Sequence, residues 1–190
     1  LPVKDGRKTR VYKNHIYENN TDNFAPPGNM VATVPTGTGF MVLANDEVEF
    51  FDNRVENNRS ANALILSFNS TGKPANDPGF DPYPQQVWIH DNQFVGGGDS
   101  PDQLDMKAMK VAKFGLTGSL PDIMWDGSAP QGQSASGMQI CIRNNGDADF
   151  ANIDYAGKLA AFSQDLKPHD CELPALQPVT WPAVETATSS

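Results

Sequence analysis

No apolar run of about 18 residues occurs anywhere in the 190-residue chain, so nothing in it is built to span a bilayer as a helix. No secretory leader is visible, and the first residue, Leu1, is read as the start of a processed or cut chain. Positive charge is scarce: 14 Lys and Arg stand against 23 Asp and Glu, a net charge of −9. That balance excludes nucleic acid, whose phosphates need a basic face, and disfavours an anionic membrane surface. Only three histidines are present, and His15, His90 and His169 are too scattered for a transition-metal site. Gly96-Gly97-Gly98 lacks the Lys-Ser/Thr of a phosphate loop, and the chain holds no Cys-x-x-Cys-His haem motif.

Cysteine is nearly absent too. Cys141 and Cys171 are the only two, and they form a disulfide or remain free thiols. Without further Cys or His ligands close by, they make no zinc site. A disulfide suits an oxidising compartment; it would tie the C-terminal tail to the last turn and add about 3 kcal/mol.

The chain does have 16 Gly and 15 Pro, together with many asparagines and few long helical patterns. This composition predicts one domain of β structure with elaborated loops. A short pattern also recurs: Val11-Tyr12-Lys13-Asn14-His15-Ile16, Phe50-Phe51-Asp52-Asn53-Arg54-Val55 and Ile89-His90-Asp91-Asn92-Gln93-Phe94. Each copy reads apolar, variable, polar, Asn, variable, apolar, and Asn14, Asn53 and Asn92 are 39 residues apart, twice. A fixed interval of this kind marks units that bury their apolar faces only against their neighbours. Asn tolerates a left-handed corner and bonds nearby backbone. Stacked at one corner, the three amides can satisfy one another; alternatively they only form turns. Neither role is catalytic.

The rest of a turn can be read around each asparagine. Gly39 to Ala44 is an apolar strand, Asn45-Asp46-Glu47 turns, Val48-Glu49-Phe50 alternates, and Val55 opens a third segment. Ala63 to Ser67, Val87 to Ile89 and Phe94 repeat this, and Met138 to Ile142 with Ala148 to Asn152 form a weaker later copy. Three short strands per turn with polar corners predict an all-β, right-handed parallel β-helix over residues 1–162. An undecorated turn takes about 20–25 residues, so insertions are expected, at 21–36, 69–86 and 96–136. The last contains one helix: Ser100-Pro101-Asp102-Gln103 reads as a capping box, Leu104, Ala108 and Val111 follow at helical spacing, and Gly115 stops it. Leu120 to Gly127 is expected as an extended segment lying on the solenoid. Residues 163–190 read as a tail packed on the solenoid with mobile last residues. The chain starts mid-turn, and an open solenoid end exposes apolar side chains and strand edges. The expected partner is therefore a set of upstream β-helix turns, supplied by an N-terminal fragment of the same protein.

Several stretches resemble the C-terminal portion of bacterial exported proteins with parallel β-helix repeats: Asp5 to Tyr12, Asn23-Phe24-Ala25-Pro26, Val34 to Gly39, Asp81-Pro82-Tyr83-Pro84, Ile89-His90-Asp91-Asn92 and Ile142 to Gly146. The resemblance covers most of residues 5–175 and rests on loops and turns rather than chemistry. It implies an exported solenoid, periplasmic, on the outer surface or secreted, with no settled activity and with a cytochrome-like partner. Members of that family carry more turns upstream.

Two kinds of chemistry suit such a scaffold. Alternation turns Val11, Val48, Phe50, Val87 and Ile89 inward, and Arg10, Glu49 and Trp88, then Tyr12, Phe51 and His90, outward. Tyr12, Phe51 and Trp88 on a flat face can stack on sugar rings, with the long loops as walls. Polysaccharide lyases and epimerases of this architecture use carboxylates and basic groups for proton abstraction beside a carboxyl group, and His90 with Asp91 is the candidate pair. Burial beneath the loops is the more ordinary fate for such aromatics. The other chemistry is calcium, for which Asn45-Asp46-Glu47, Asp77 with Asp81, and Asn145-Asp147-Asp149 offer oxygen ligands. None matches a defined calcium loop, and solvated acidic turns are the ordinary reading; no other cofactor is expected. Sequons at Asn19, Asn58 and Asn69 carry little meaning in an Asn-rich chain. The leading expectation is a non-catalytic extracytoplasmic scaffold for a partner protein or a glycan. The alternative is a lyase or epimerase acting on uronate-containing glycans.

Overall fold

The structure, a computed structural model, describes residues 6–75 and 77–180. The last ten residues, expected to be mobile, and the first five lie outside the described residues. Eleven strands and one α-helix follow one another as β1 (Arg7–Tyr12), β2 (His15–Tyr17), β3 (Thr38–Leu43), β4 (Asp46–Phe51), β5 (Arg54–Glu56), β6 (Ala61–Leu66), β7 (Gln85–His90), β8 (Gln93–Val95), α1 (Leu104–Phe114), β9 (Ile123–Trp125), β10 (Ile140–Arg143) and β11 (Phe150–Asn152). They form three sheets, β1-β4-β7-β10, β3-β6-β9-β11 and β2-β5-β8, in which every strand pair is parallel. The fold is thus mostly β, with parallel sheets and, among the described residues, a single α-helix.

The pairing follows the sequence interval. Thr9 faces Val48 and Val48 faces Val87; His15 faces Arg54 and Arg54 faces Gln93. These are the 39-residue steps that separate the asparagines. Side chains alternate across each strand. Val48, Phe50, Val55, Ile65, Val87, Ile89, Ile123, Trp125, Ile140, Ile142 and Phe150 therefore meet in one core between the three sheets. Each such burial contributes roughly 1.5–3 kcal/mol, and the Phe40 and Phe50 rings stack at 3.7 Å within the same layer. Val11, Ile16 and Phe40, on the edge strands β1, β2 and β3, pack against this core but remain only half-buried.

Two parts of the third insertion differ from the sequence reading. The segment expected to lie on the solenoid is strand β9, hydrogen-bonded between β6 and β11. Ile123 and Trp125 enter the core while Met124 faces outward, so the region 96–136 contributes to the sheet. The helix forms and ends before Gly115, but it does not bury the expected face. Leu104 is 82% and Val111 48% exposed, and Met106 and Met109 are buried instead. These flexible thioethers suit an irregular surface, and they pack with Leu64, Met124 and Ala151 on the outer side of β6, β9 and β11. No side-chain cap closes the helix start. Asp102 accepts instead from the Thr36 N–H at 3.2 Å, which joins the first insertion to the third.

At its far end the stack is closed by the chain that follows β11. Asn152 bridges antiparallel to Ser163, and His169 Nδ1 donates to the Ile140 carbonyl at 2.9 Å. Cys141 and Cys171 lie at disulfide distance, with Cα atoms 4.9 Å apart.

Candidate functional site

The asparagines sit between β1 and β2, β4 and β5, and β7 and β8. Asn14 donates its backbone and side-chain N–H to Asn53 Oδ1 at 3.0 and 2.9 Å. Asn53 does the same to Asn92, and Asn92 to Asn145, each bond at 3.0 Å. The remaining side-chain protons of Asn53 and Asn92 reach carbonyls of Val11, Phe51, Phe50 and His90. The left-handed corner is not at the asparagine, as the sequence reading has it, but one residue earlier: Lys13, Asp52, Asp91 and Asn144 have φ of 57°, 53°, 53° and 56°. An Asn after the corner can aim its amide at the next rung. A second row went unread in the sequence: Asn19 donates to Asn58 Oδ1 across the same 39 residues. The 39-residue spacing is present in the sequence, but both positions read there only as sequons; Asn58 is fully buried and closed to modification in the folded chain.

The outer face of β1-β4-β7-β10 gathers the candidate residues. Register places Arg10, Glu49, Trp88 and Cys141 in one row and Tyr12, Phe51, His90 and Arg143 in the next. The aromatic groups stack: Tyr12 on Phe51 at 5.0 Å, Phe51 on His90 at 5.2 Å, and Trp88 on His90 at 3.8 Å. The Arg10 guanidinium lies 5.1 Å from both the Tyr12 and Phe51 ring centres, a favourable place for a cation.

Charged groups thread the same rows. Arg10 Nε donates to Glu49 Oε2 at 3.1 Å, and the Leu176 N–H donates to that same oxygen at 3.0 Å. His90 Nε2 is 3.5 Å from Glu49 Oε1, and His90 Nδ1 is 2.7 Å from Asp91 Oδ2. Glu49 is 3% and His90 8% exposed, so neither faces solvent as the alternation predicts. Over Glu49 the cover is the C-terminal segment 173–180. The first insertion folds on itself instead, with Asn23 bonded to the Val31 and Val34 carbonyls. In the second, Phe80 meets Phe68 edge-on and Tyr83 packs on the core. Tyr12 remains 45% exposed at the open side of the column.

Beneath the segment 173–180 lies a cavity of about 640 Å³, floored by Glu49 and Trp88 and edged by Lys8, Glu47 and Gln86. The indole Nε1 of Trp88 is shielded from solvent and has no hydrogen-bond partner among the described residues. Sequence reasoning missed this groove because its roof is a stretch without regular structure, far from the sheet in sequence.

The acidic turns serve the backbone. Asp46 Oδ1 accepts from the Gln85 N–H and Asp81 Oδ1 from the Tyr83 N–H. Asp77 Oδ1 accepts from the Gly79 N–H, and Asn145 belongs to the asparagine row. Burial, reinforced by the Asp81 charge, raises the Asp46 pKa above the usual carboxylate value. Burial likewise raises that of Asp122, beside Asp149. Among the described residues no group of three or more His, Cys, Asp or Glu is placed to hold a metal ion, and no helix is long and apolar enough to cross a membrane.

Compared with known proteins, the chain matches no family model, and no curated protein or solved structure matches it at a significant level.

Proposed function

We propose that the chain is a right-handed parallel β-helix that acts as an extracytoplasmic scaffold, binding a partner protein or a glycan without catalysis. Three parallel sheets that share one core support the solenoid, and the strong right-handed preference of parallel crossovers supports its hand. The resemblance to exported repeat proteins agrees with that architecture. The Cys141–Cys171 pair supports an oxidising compartment.

One observation carries the non-catalytic reading. Glu49 and Arg10 at the centre of the outer face are already engaged with other protein groups, while His90 Nε2 lies near Glu49 without a hydrogen bond. Glu49 Oε2 accepts from both Arg10 and Leu176, and His90 is flanked by Glu49 and Asp91. Proton abstraction needs a base within reach of the substrate proton and a free cation for its carboxylate. The exposed aromatic edge at Tyr12 supports ligand stacking instead. The half-buried Val11, Ile16 and Phe40 on edge strands support the stacking of further β-helix turns there.

The convergence of Arg10, Glu49 and His90 favours a second reading, a lyase or epimerase acting on uronate-containing glycans. Incubation with uronate polymers separates the two readings, with unsaturated products and C5 proton exchange as readouts. The scaffold reading expects neither signal; turnover that disappears in Glu49→Gln establishes the enzyme.

A further inference from the structure

We infer that the groove over Glu49 and Trp88 is a docking site for an extended, proline-containing peptide, and that residues 173–180 are its resident occupant. The inference rests on the scaffold reading and names the partner of that face.

The course of the segment is the first support. Cys171 is bonded to Cys141 on β10, and Arg143 holds the adjoining residues through Glu172 at 2.7 Å and Asp170 at 3.5 Å. From there the chain crosses the outward row to β4, where the Leu176 N–H meets Glu49. It therefore lies across the strands, as a bound peptide does, and adds no strand to an edge.

Its sequence is the second. Leu173, Leu176 and Val179 recur every third residue, with Pro174 and Pro178 between them. Three residues per turn is the period of polyproline II, a helix without internal hydrogen bonds. Leu173 and Leu176 are half-buried, while Pro174, Ala175, Gln177 and Pro178 are exposed. One side of the segment faces the sheet and the other faces water.

The fit is the third. The resident segment leaves a cavity of about 640 Å³ under it, and Val179 is 73% exposed. The Trp88 Nε1 donor has no acceptor although water cannot reach it. Aromatic-lined grooves take polyproline II peptides, whose carbonyls all point outward for capture, and a buried indole N–H ordinarily finds such a partner. Trp88 thus brings to the groove wall a donor that is unpartnered while the resident segment is in place. Glu49 supplies the matching acceptor for a peptide N–H. A peptide from a partner protein displaces the resident segment, which remains tethered through Cys171.

The test uses the full chain with its disulfide intact. The substitutions Leu173→Asp and Leu176→Asp together place charge beside Glu49 and lift the resident segment without touching the core. A fluorescein-labelled peptide of residues 172–180 is titrated by anisotropy. The expected result is at least tenfold tighter binding to this variant than to the wild type, and at least tenfold loss when Trp88→Ala is added. Equal binding to both proteins, binding to neither, or indifference to Trp88 overturns the inference. Should the variant fail to fold, amide exchange at Leu176 is followed in the wild type. Excess peptide accelerates it if the resident segment is displaced, and unchanged exchange overturns the inference. A uronate oligosaccharide that accelerates this exchange where the peptide does not also overturns it, while leaving the scaffold reading intact.

Discussion

Asn53 donates both its backbone and its side-chain N–H to Oδ1 of Asn92, each at 3.0 Å, and receives the same pair of bonds from Asn14. One oxygen thereby satisfies two donors of the preceding rung. The side chain of each interior member also closes its own corner by donating to the carbonyl two residues before it.

Removal of an interior member of this row is costly. Asn92 is 3% exposed, and Asn92→Ala takes the acceptor from the buried Asn53 backbone N–H and removes the side-chain donor to the Phe50 and His90 carbonyls. Unsatisfied buried groups cost roughly 1–3 kcal/mol each before relaxation, so a loss of about 3 kcal/mol is expected in urea unfolding. Asn14→Ala, at the exposed end, is expected to cost about 1 kcal/mol or less.

The left-handed corners make an opposite prediction. Asp52 has φ of 53° and an exposed side chain, a conformation that costs an L-residue about 1–2 kcal/mol and glycine almost nothing. Greater freedom of glycine in the unfolded chain offsets part of that gain. Asp52→Gly is therefore expected to be neutral or to stabilise by up to about 1 kcal/mol, and Asp52→Val to destabilise. Thermal unfolding of both variants checks the sign.

Cys141 and Cys171 close a loop of 30 residues. Constraint of the unfolded chain over that length is worth about 3 kcal/mol, and the bond also anchors the segment that roofs Glu49. Reductant is expected to lower the unfolding free energy by that amount and to speed amide exchange at Leu176. Denaturation and exchange measured with and without reductant read both effects.

Burial beside Trp125 and Phe150 pushes the His169 pKa below its ordinary value of 6.5, outweighing the bond to Ile140, which acts the other way. The unfolded chain then binds the proton more readily than the folded one. The stabilisation is complete above about pH 6.5 and is lost as pH falls from there towards the folded pKa, with a slope approaching about 1.4 kcal/mol per pH unit. Stability curves from pH 7.5 to 5 are expected to be flatter in His169→Leu than in the wild type.

Legibility in the sequence followed insertion length. Between the first three copies of the pattern, loops of different placement add to equal intervals, so the register of Thr9, Val48 and Val87 could be read directly. The next step, Asn92 to Asn145, is 53 residues, because α1 and the segment after β9 both intervene. β9 itself was obscured: Ile123, Met124 and Trp125 are all buried, two in the core and one under α1, so no alternation marks a strand. The corner residues Lys13, Asp52, Asp91 and Asn144 share a backbone conformation but only a polar character, while the identical residue is the Asn beside them, which hid the true left-handed position. The site was less legible than the fold. Alternation correctly paired Arg10 with Glu49 and Trp88 on one row, but the roof over them comes from Leu173 and Leu176, whose period of three belongs neither to a helix nor to a strand.

Nuclear Overhauser contacts in solution test the parallel stacking most directly, with Asn and Val selectively labelled. The account predicts side-chain amide contacts from Asn53 to both Asn14 and Asn92, and Val48 contacts to both Thr9 and Val87. Asparagine amides that contact only residues of their own corner, or an antiparallel pattern between β4 and β7, would contradict it.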